Sequence, residues 1–158
     1  MKIYLKCFLL TVLFSTGAFI SFSQNNPVIT KVAKFKPPVV KTFLGTNQNG
    51  ALVTTDQAAQ LLSLPLKIID DKNNEYAIDS YQFLYRRKGV TEDEQTGKAQ
   101  VSFTIVSDRF FATPLPKVWI DNIKDNLKKE EQLYYFDIVV KDKQGRKFSA
   151  PELKITIQ

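Results

Sequence analysis

The sequence contains no histidine and only one cysteine in 158 residues. Without histidine the chain cannot form the Ser-His or Cys-His pairs of nucleophilic catalysis, and it lacks the residue on which most zinc sites depend. The cysteine, Cys7, lies in an N-terminal segment that we expect to be removed. Thiolate catalysis, sulfur ligands and disulfide bonds are therefore excluded from the rest of the chain.

Oxygen-based sites are the remaining possibility, and their patterns are incomplete. The segment 70–75 contains Asp70, Asp71 and Glu75, but it has no glycine at the sixth position, where a calcium-binding EF-hand loop needs one. The acidic residues form no marked pair suited to glycoside hydrolysis, and the sequence has no glycine-rich phosphate-binding motif. We therefore predict a protein that is not an enzyme and binds neither a metal ion nor a cofactor.

The N-terminus has the pattern of a secretory signal peptide. Lys2 and Lys6 precede an apolar run at 7–20, and the small residues Ser21 and Ser23 follow it. The run is shorter than the roughly 20 apolar residues of a membrane-spanning helix. This favours cleavage after Ser23 over a membrane anchor. The sequence thus predicts a signal peptide at 1–23 and a periplasmic or secreted protein with no membrane anchor after cleavage.

The charge does not favour a nucleic-acid partner. The formal net charge of +6 falls to +4 when Lys2 and Lys6 are removed. The basic residues are spread along the chain, and only 86–88 form a tight group, which is a weak signal for nucleic acid. The remaining chain has the length of one domain. We expect a lead-in segment or edge strand at 24–36 and a single β-rich domain at 37–158.

The C-terminal third carries the clearest secondary-structure pattern. Pro116 is suited to open a helix, whose apolar face then consists of Trp119, Ile120, Ile123 and Leu127. A strand is predicted at 133–140, followed by a turn at 142–145. Beyond it Leu153, Ile155 and Ile157 alternate with polar residues, as in a strand with one wet face. We expect the helix to lie on the strand that follows it.

The preceding part is predicted to be mostly strand. An extended segment ends at Gly45, and Thr54 and Gln57 resemble the capping box of a short helix through Leu62. Strands are predicted at 66–69 and 76–85, separated by a turn. The second has two apolar phases, which indicates a central strand covered on both faces, and 86–89 is expected to end it.

A further strand is expected after the acidic segment 92–94. Val101, Phe103 and Ile105 alternate with Ser102 and Thr104, which predicts one face in the core. The fold class that follows is α+β, mostly β, with an antiparallel sheet or sandwich-like core and two short helices.

One short segment is a candidate partner surface. Arg109, Phe110 and Phe111 fall in a predicted loop between this strand and the C-terminal helix. Two adjacent large rings do not both point inward easily, and an exposed pair would form a contact surface. The other aromatic residues are more typical of a core.

The order of these features resembles the C-terminal domain of GldM, a periplasmic component of the gliding-motility and type IX secretion motor. The resemblance covers 31–158 and rests on the following features: the lead-in 34–38, the loop 45–50 with the helix after it, the aromatic strand around Tyr81 and Phe83, the strand 101–103, the helix ending at 128–129, and 135–138 before the turn 142–145. GldM also has a transmembrane helix and further domains before this one, whereas here we expect only a signal peptide before it. The resemblance therefore implies the binding role of this domain and not a motor role.

Two functions follow as hypotheses. The first is a non-catalytic periplasmic interaction domain that docks onto another envelope or periplasmic protein, in gliding motility or type IX secretion, with homo-oligomerisation left open. The alternative is a secreted sugar- or cell-wall-binding β module that uses exposed tyrosines and Trp119.

Overall fold

The computed structural model describes residues 34–158, and the secondary structure of this part consists of eight strands and two helices. In chain order these are β1 (Val40–Leu44), β2 (Ala51–Val53), α1 (Thr55–Leu61), β3 (Leu66–Asp70), β4 (Ala77–Glu92), β5 (Ala99–Phe110), α2 (Lys117–Lys124), β6 (Gln132–Lys141), β7 (Lys147–Ala150) and β8 (Leu153–Ile157). The predicted fold class, α+β and mostly β with two short helices, is confirmed.

The strands form a large and a small sheet. The large sheet has the order β2-β8-β6-β4-β5, with β7 pairing with β6 beside β8, and only the β2–β8 pair is parallel. The small sheet is the antiparallel pair β1–β3. The Thr42 hydroxyl donates to the Pro151 carbonyl at 2.6 Å, and the Thr113 hydroxyl accepts from the Leu66 N–H at 2.7 Å. These bonds tie the small sheet to segments next to the large one.

The core lies on one face of the large sheet, which we call the inner face. It carries buried aromatic residues from three adjacent strands: Tyr81, Phe83, Tyr85, Phe110 and Tyr135. The α2 residue Trp119 packs edge-on against Phe83 and Phe110, with ring centroids 5.9 and 5.3 Å apart. The aromatic contacts of α2 are thus with β4 and β5 and not with β6, the strand that follows it in the chain.

Several local predictions are confirmed. The Gln57 N–H donates to the Thr54 hydroxyl, and the Thr54 N–H donates to the Gln57 side chain, so the capping box of α1 is present. Strands β3, β6 and β8 lie where the sequence predicts strands. The C-terminal helix is shorter than predicted, since α2 ends at Lys124 before Leu127, and Pro116 is its N-cap residue.

Three predictions in the β4–β5 region are wrong. The basic residues 86–89 do not end β4, which continues to Glu92. Strand β4 is central, between β6 and β5, but its two faces are not equally covered, since Leu84 on the face opposite the inner one is only half-buried. The alternating residues of β5, among them Phe103 and Ile105, are exposed and not in the core. They point away from the inner face because Phe110, at an even position of the same strand, takes that side.

Two short strands, β2 and β7, have no sequence prediction. The expected signal peptide at 1–23, and the expected strand in the lead-in segment up to residue 33, lie outside the described residues. The described part of the lead-in, 34–36, is not a strand. No helix within 34–158 is long and apolar enough to cross a membrane.

The turn after β3 is held by Asp70. The side chain and backbone N–H of Asn74, the Tyr76 hydroxyl and the Lys72 N–H donate to its carboxylate, at 2.8 to 3.0 Å. These bonds, with the Asn74 side chain contributing most, lower the pKa of Asp70 from 3.8 to about 2, although desolvation opposes the shift. The turn therefore depends on the ionised carboxylate.

We expect Asp70 to contribute stability above about pH 4 and to lose that contribution as the pH falls towards about 2, because a depressed pKa favours the folded state only while the group is ionised. The Asp70→Asn variant should have a lower midpoint of thermal unfolding at neutral pH and a smaller decrease over this interval. Thermal unfolding followed by circular dichroism against pH measures both. Identical pH profiles for the two proteins would contradict the assignment.

Candidate protein-interaction surface

Strands β4 and β5 extend beyond the rest of the large sheet. The pairing of β4 with β6 stops at Arg86, which faces Gln132, whereas β4 and β5 stay paired as far as Glu92 and Ala99. Residues 86–105, which we call the arm, therefore form a two-stranded ribbon of which only the base touches a third strand. A turn at 93–98 closes it, with two backbone N–H groups donating to the Asp93 carboxylate at 2.9 Å.

One face of the arm is apolar. The β4–β5 register places Val90 directly opposite Val101, and Phe103 and Ile105 follow on the same side. We call these four residues the arm patch. Val90 is 70% exposed and Ile105 is 60% exposed. A row of large apolar side chains that are 37% to 70% exposed is typical of a binding surface.

The arm patch is bordered by positive charge. Arg86 and Lys88 lie opposite Ile105 and Phe103, on the same face of the arm. The Arg86 guanidinium sits over the Phe103 ring, 3.4 Å from its centroid, in a cation–π contact. The patch thus combines exposed hydrocarbon with an ordered aromatic–guanidinium pair.

The other face of the arm is polar. It carries Arg87, Thr91, Ser102 and Thr104, in positions that alternate with the arm patch. The arm is therefore amphipathic although no described element packs on its apolar side. A hairpin that served only as a solvated connection would not need this alternation.

The base of the arm is fixed by a buried carboxylate. Glu131 is 0% exposed and accepts hydrogen bonds from the backbone N–H of Lys88 at 2.8 Å, the backbone N–H of Lys128 at 2.9 Å and the Tyr85 hydroxyl. Burial and the bond to Glu131 raise the pKa of Tyr85, so its hydroxyl remains a donor. Next to it, the Lys88 ammonium pairs with Glu130 at 2.8 Å.

The outer edge of β5 pairs with no described strand. The Asp93 N–H donates to the Lys98 carbonyl at 3.0 Å, which fixes the phase of the β4–β5 ladder. Because antiparallel hydrogen bonds alternate, even-numbered residues of β5 point their N–H and C=O groups at β4 and odd-numbered ones point them outward. The N–H of Arg109 agrees with this phase, since it donates to the Asp108 carboxylate at 2.7 Å.

The three residues predicted as a partner surface lie in different environments. Arg109 and Phe110 belong to β5 and not to a loop. Phe110 is only 8% exposed and stacks in the core, while Phe111 is 71% exposed. The Arg109 guanidinium pairs with Asp137, whose pKa it lowers, and donates to the Ser80 hydroxyl at 3.3 Å. Phe111 and the exposed part of Arg109 are therefore the accessible members of the predicted surface.

The arm itself was not predicted, although the sequence contains a signal for it. Two β-rich stretches of similar length flank the turn 93–98, which has Asp93 at its start and Gly97, at positive φ, near its end. The basic group 86–88 has the pattern of a strand end, so the strand that the sequence predicts is shorter than β4.

A smaller cleft lies between α2 and the inner face. Its volume is about 240 Å³, and it is lined by Tyr85, Arg87, Val106, Val118, Trp119, Asn122 and Ile123. Trp119 is half-buried there. Within 34–158, no group of three or more acidic, histidine or cysteine side chains is arranged to hold a metal ion.

Comparisons of the chain with models of protein families, with curated proteins and with solved structures find no match.

The Glu131→Gln variant should lower the free energy of unfolding by about 1–3 kcal/mol, because an amide offers one acceptor oxygen where the carboxylate offers two to buried donors. Tyr85→Phe should cost about 1 kcal/mol, since it removes one donor and leaves the other two bonded. Urea unfolding measures both values. A Glu131→Gln protein as stable as the wild type would show that the carboxylate does not fix the base of the arm.

Proposed function

We propose that this protein is a non-catalytic interaction domain of the cell envelope, and that the arm patch is the surface on which a partner protein docks. The observation that carries the proposal is the row of exposed apolar side chains Val90, Val101, Phe103 and Ile105 on a ribbon held rigidly at its base. Burial of apolar surface stabilises association by roughly 25 cal/mol for each Å². The patch therefore offers a partner a site that is already ordered.

The sequence supports the envelope as the location. The signal-peptide pattern at 1–23 predicts export, and the resemblance to the C-terminal domain of GldM points to a periplasmic binding role in gliding motility or type IX secretion. We propose a periplasmic or secreted location and a protein partner from the same compartment. Arg86 and Lys88 beside the patch favour a partner surface that combines apolar with acidic side chains.

A crosslinking pull-down from the native envelope tests this proposal. The tagged wild-type protein should recover a specific partner, and a Phe103→Thr/Ile105→Thr variant should recover about tenfold less, because both anchors are on the patch. The control is Thr91→Ser/Thr104→Ser, which changes the opposite face of the same arm and should capture as much as the wild type. Urea unfolding confirms that both variants are folded.

Recovery of no specific partner, or equal recovery by the wild type and the patch variant, would contradict the proposal. A Phe111→Ala variant tests the most exposed residue of the predicted surface 109–111. A triple alanine variant of 109–111 is unsuitable, because Phe110 is part of the core and its removal would destabilise the whole domain.

A second candidate function is the binding of sugars or cell-wall fragments. The observation that favours it is the cleft beside α2, whose lining includes the half-buried Trp119 together with Arg87 and Asn122. An indole next to hydrogen-bonding side chains is a suitable surface for a sugar ring.

If this second function holds, soluble cell-wall glycans should quench the fluorescence of Trp119, the single tryptophan of the chain, in a saturable manner. An Asn122→Ala variant should weaken the titration by about tenfold, because it loses a polar contact in the cleft. A Lys143→Ala variant, changed in the turn after β6, is the matched control. Unchanged fluorescence at saturating glycan would rule this candidate out.

A further inference from the structure

The open edge of β5 is a second exposed feature of the arm, distinct from its apolar face. The odd-numbered residues of β5 point their backbone N–H and C=O groups away from β4. An extended edge with unpaired backbone groups is a template for another strand. The question is which strand has side chains that match those of β5.

β5 itself matches. When two copies of β5 run antiparallel with Phe103 opposite Phe103 of the other copy, Val101 lies opposite Ile105 and Ile105 opposite Val101. Each of these three large apolar residues then meets another, and on the other face Ser102 meets Thr104 and Val106 meets Gln100. In this register the paired odd residues are those whose backbone groups point outward. Cross-strand pairs of these types stabilise a sheet.

The charges match in the same register. Lys98 lies opposite Asp108 of the second copy, and by symmetry Asp108 lies opposite Lys98 of the second copy. Both residues are exposed, and neither forms an ion pair with another described residue. An antiparallel arrangement also keeps the acidic arm tips, at 92–94, apart from each other, whereas a parallel one would place them side by side.

We propose that this protein forms a symmetric dimer in which the β5 edges of two copies pair antiparallel about Phe103, with Lys98 and Asp108 forming two intermolecular ion pairs. The proposal rests on the proposed function in that it uses the same arm, but it uses the edge and not the face. The apolar stripes of the two arms then lie side by side and form one wider surface. An envelope partner would dock on this joined surface.

The test is a charge exchange followed by sedimentation equilibrium of the purified exported protein. The wild type should be a dimer. Lys98→Glu and Asp108→Lys should each raise the dimer dissociation constant about tenfold or more, because each creates two like-charge pairs. The double variant, and an equimolar mixture of the two single variants, should recover dimer formation, since opposite charges face each other again in both cases.

A Lys143→Glu variant is the control for a general charge effect and should dimerise like the wild type. Amide hydrogen exchange provides the structural readout: the amides of Val101, Phe103 and Ile105 should be protected in the wild type and exposed in the Lys98→Glu variant. A monomeric wild type would overturn the proposal. This holds even if these amides are protected in the monomer, because another segment of the same chain would then cover the edge. Charge variants that dimerise as well as the wild type would also overturn it.

The two proposals fail separately. A monomer that captures an envelope partner through the arm patch would overturn the dimer and leave the proposed function standing. A dimer that captures no partner would overturn the proposed function and leave the dimer proposal standing.

Discussion

The arm depends on the buried carboxylate of Glu131. This side chain accepts hydrogen bonds from the backbone N–H of Lys88 in the arm, from the backbone N–H of Lys128 in the loop before β6, and from the hydroxyl of Tyr85 on the inner face. A charge with no exposed surface is tolerated only when its acceptor positions are filled, and here three donors fill them. The bonds hold the ribbon at the point where it leaves the sheet. Without this attachment a two-stranded hairpin with an exposed apolar face would be only marginally stable.

The two faces of strands β4 and β5 differ in what covers them. On the inner face Phe83 packs against Tyr135, and Trp119 of α2 packs against Phe83 and Phe110, so this side holds the core of the domain. On the other face the arm patch continues past the last residue that pairs with β6. The same alternation of side chains that buries one set of residues in the core exposes the other set on the arm. The core and the proposed binding surface therefore lie on opposite faces of the same two strands.

The Arg109, Phe110 and Phe111 segment illustrates how neighbours in sequence separate in function. Phe110 enters the core, Arg109 forms an internal ion pair with Asp137, and Phe111 points into solvent. Asp137 has φ of 49°, in the left-handed region, within the irregular part of the β4–β6 pairing. Three consecutive residues thus lie in three environments. Replacing all three together would disturb folding, because the set includes the core residue Phe110.

The sequence by itself determined the local features: the capping box at Thr54 and Gln57, the turns after β3 and β6, and the strands with period-two alternation such as β8. Each of these depends on contacts within a few residues, or on a side-chain alternation that is read directly from the chain. The tertiary structure alone decided which side of an alternating strand is buried. Val101, Phe103 and Ile105 have the pattern of a core strand, but they lie in solvent. The pairing of β6 with β4 reaches only to Gln132, the first residue of β6, and Phe110 fixes which face of β5 is buried. Alternation defines two faces, and only the neighbouring elements determine which of them is covered.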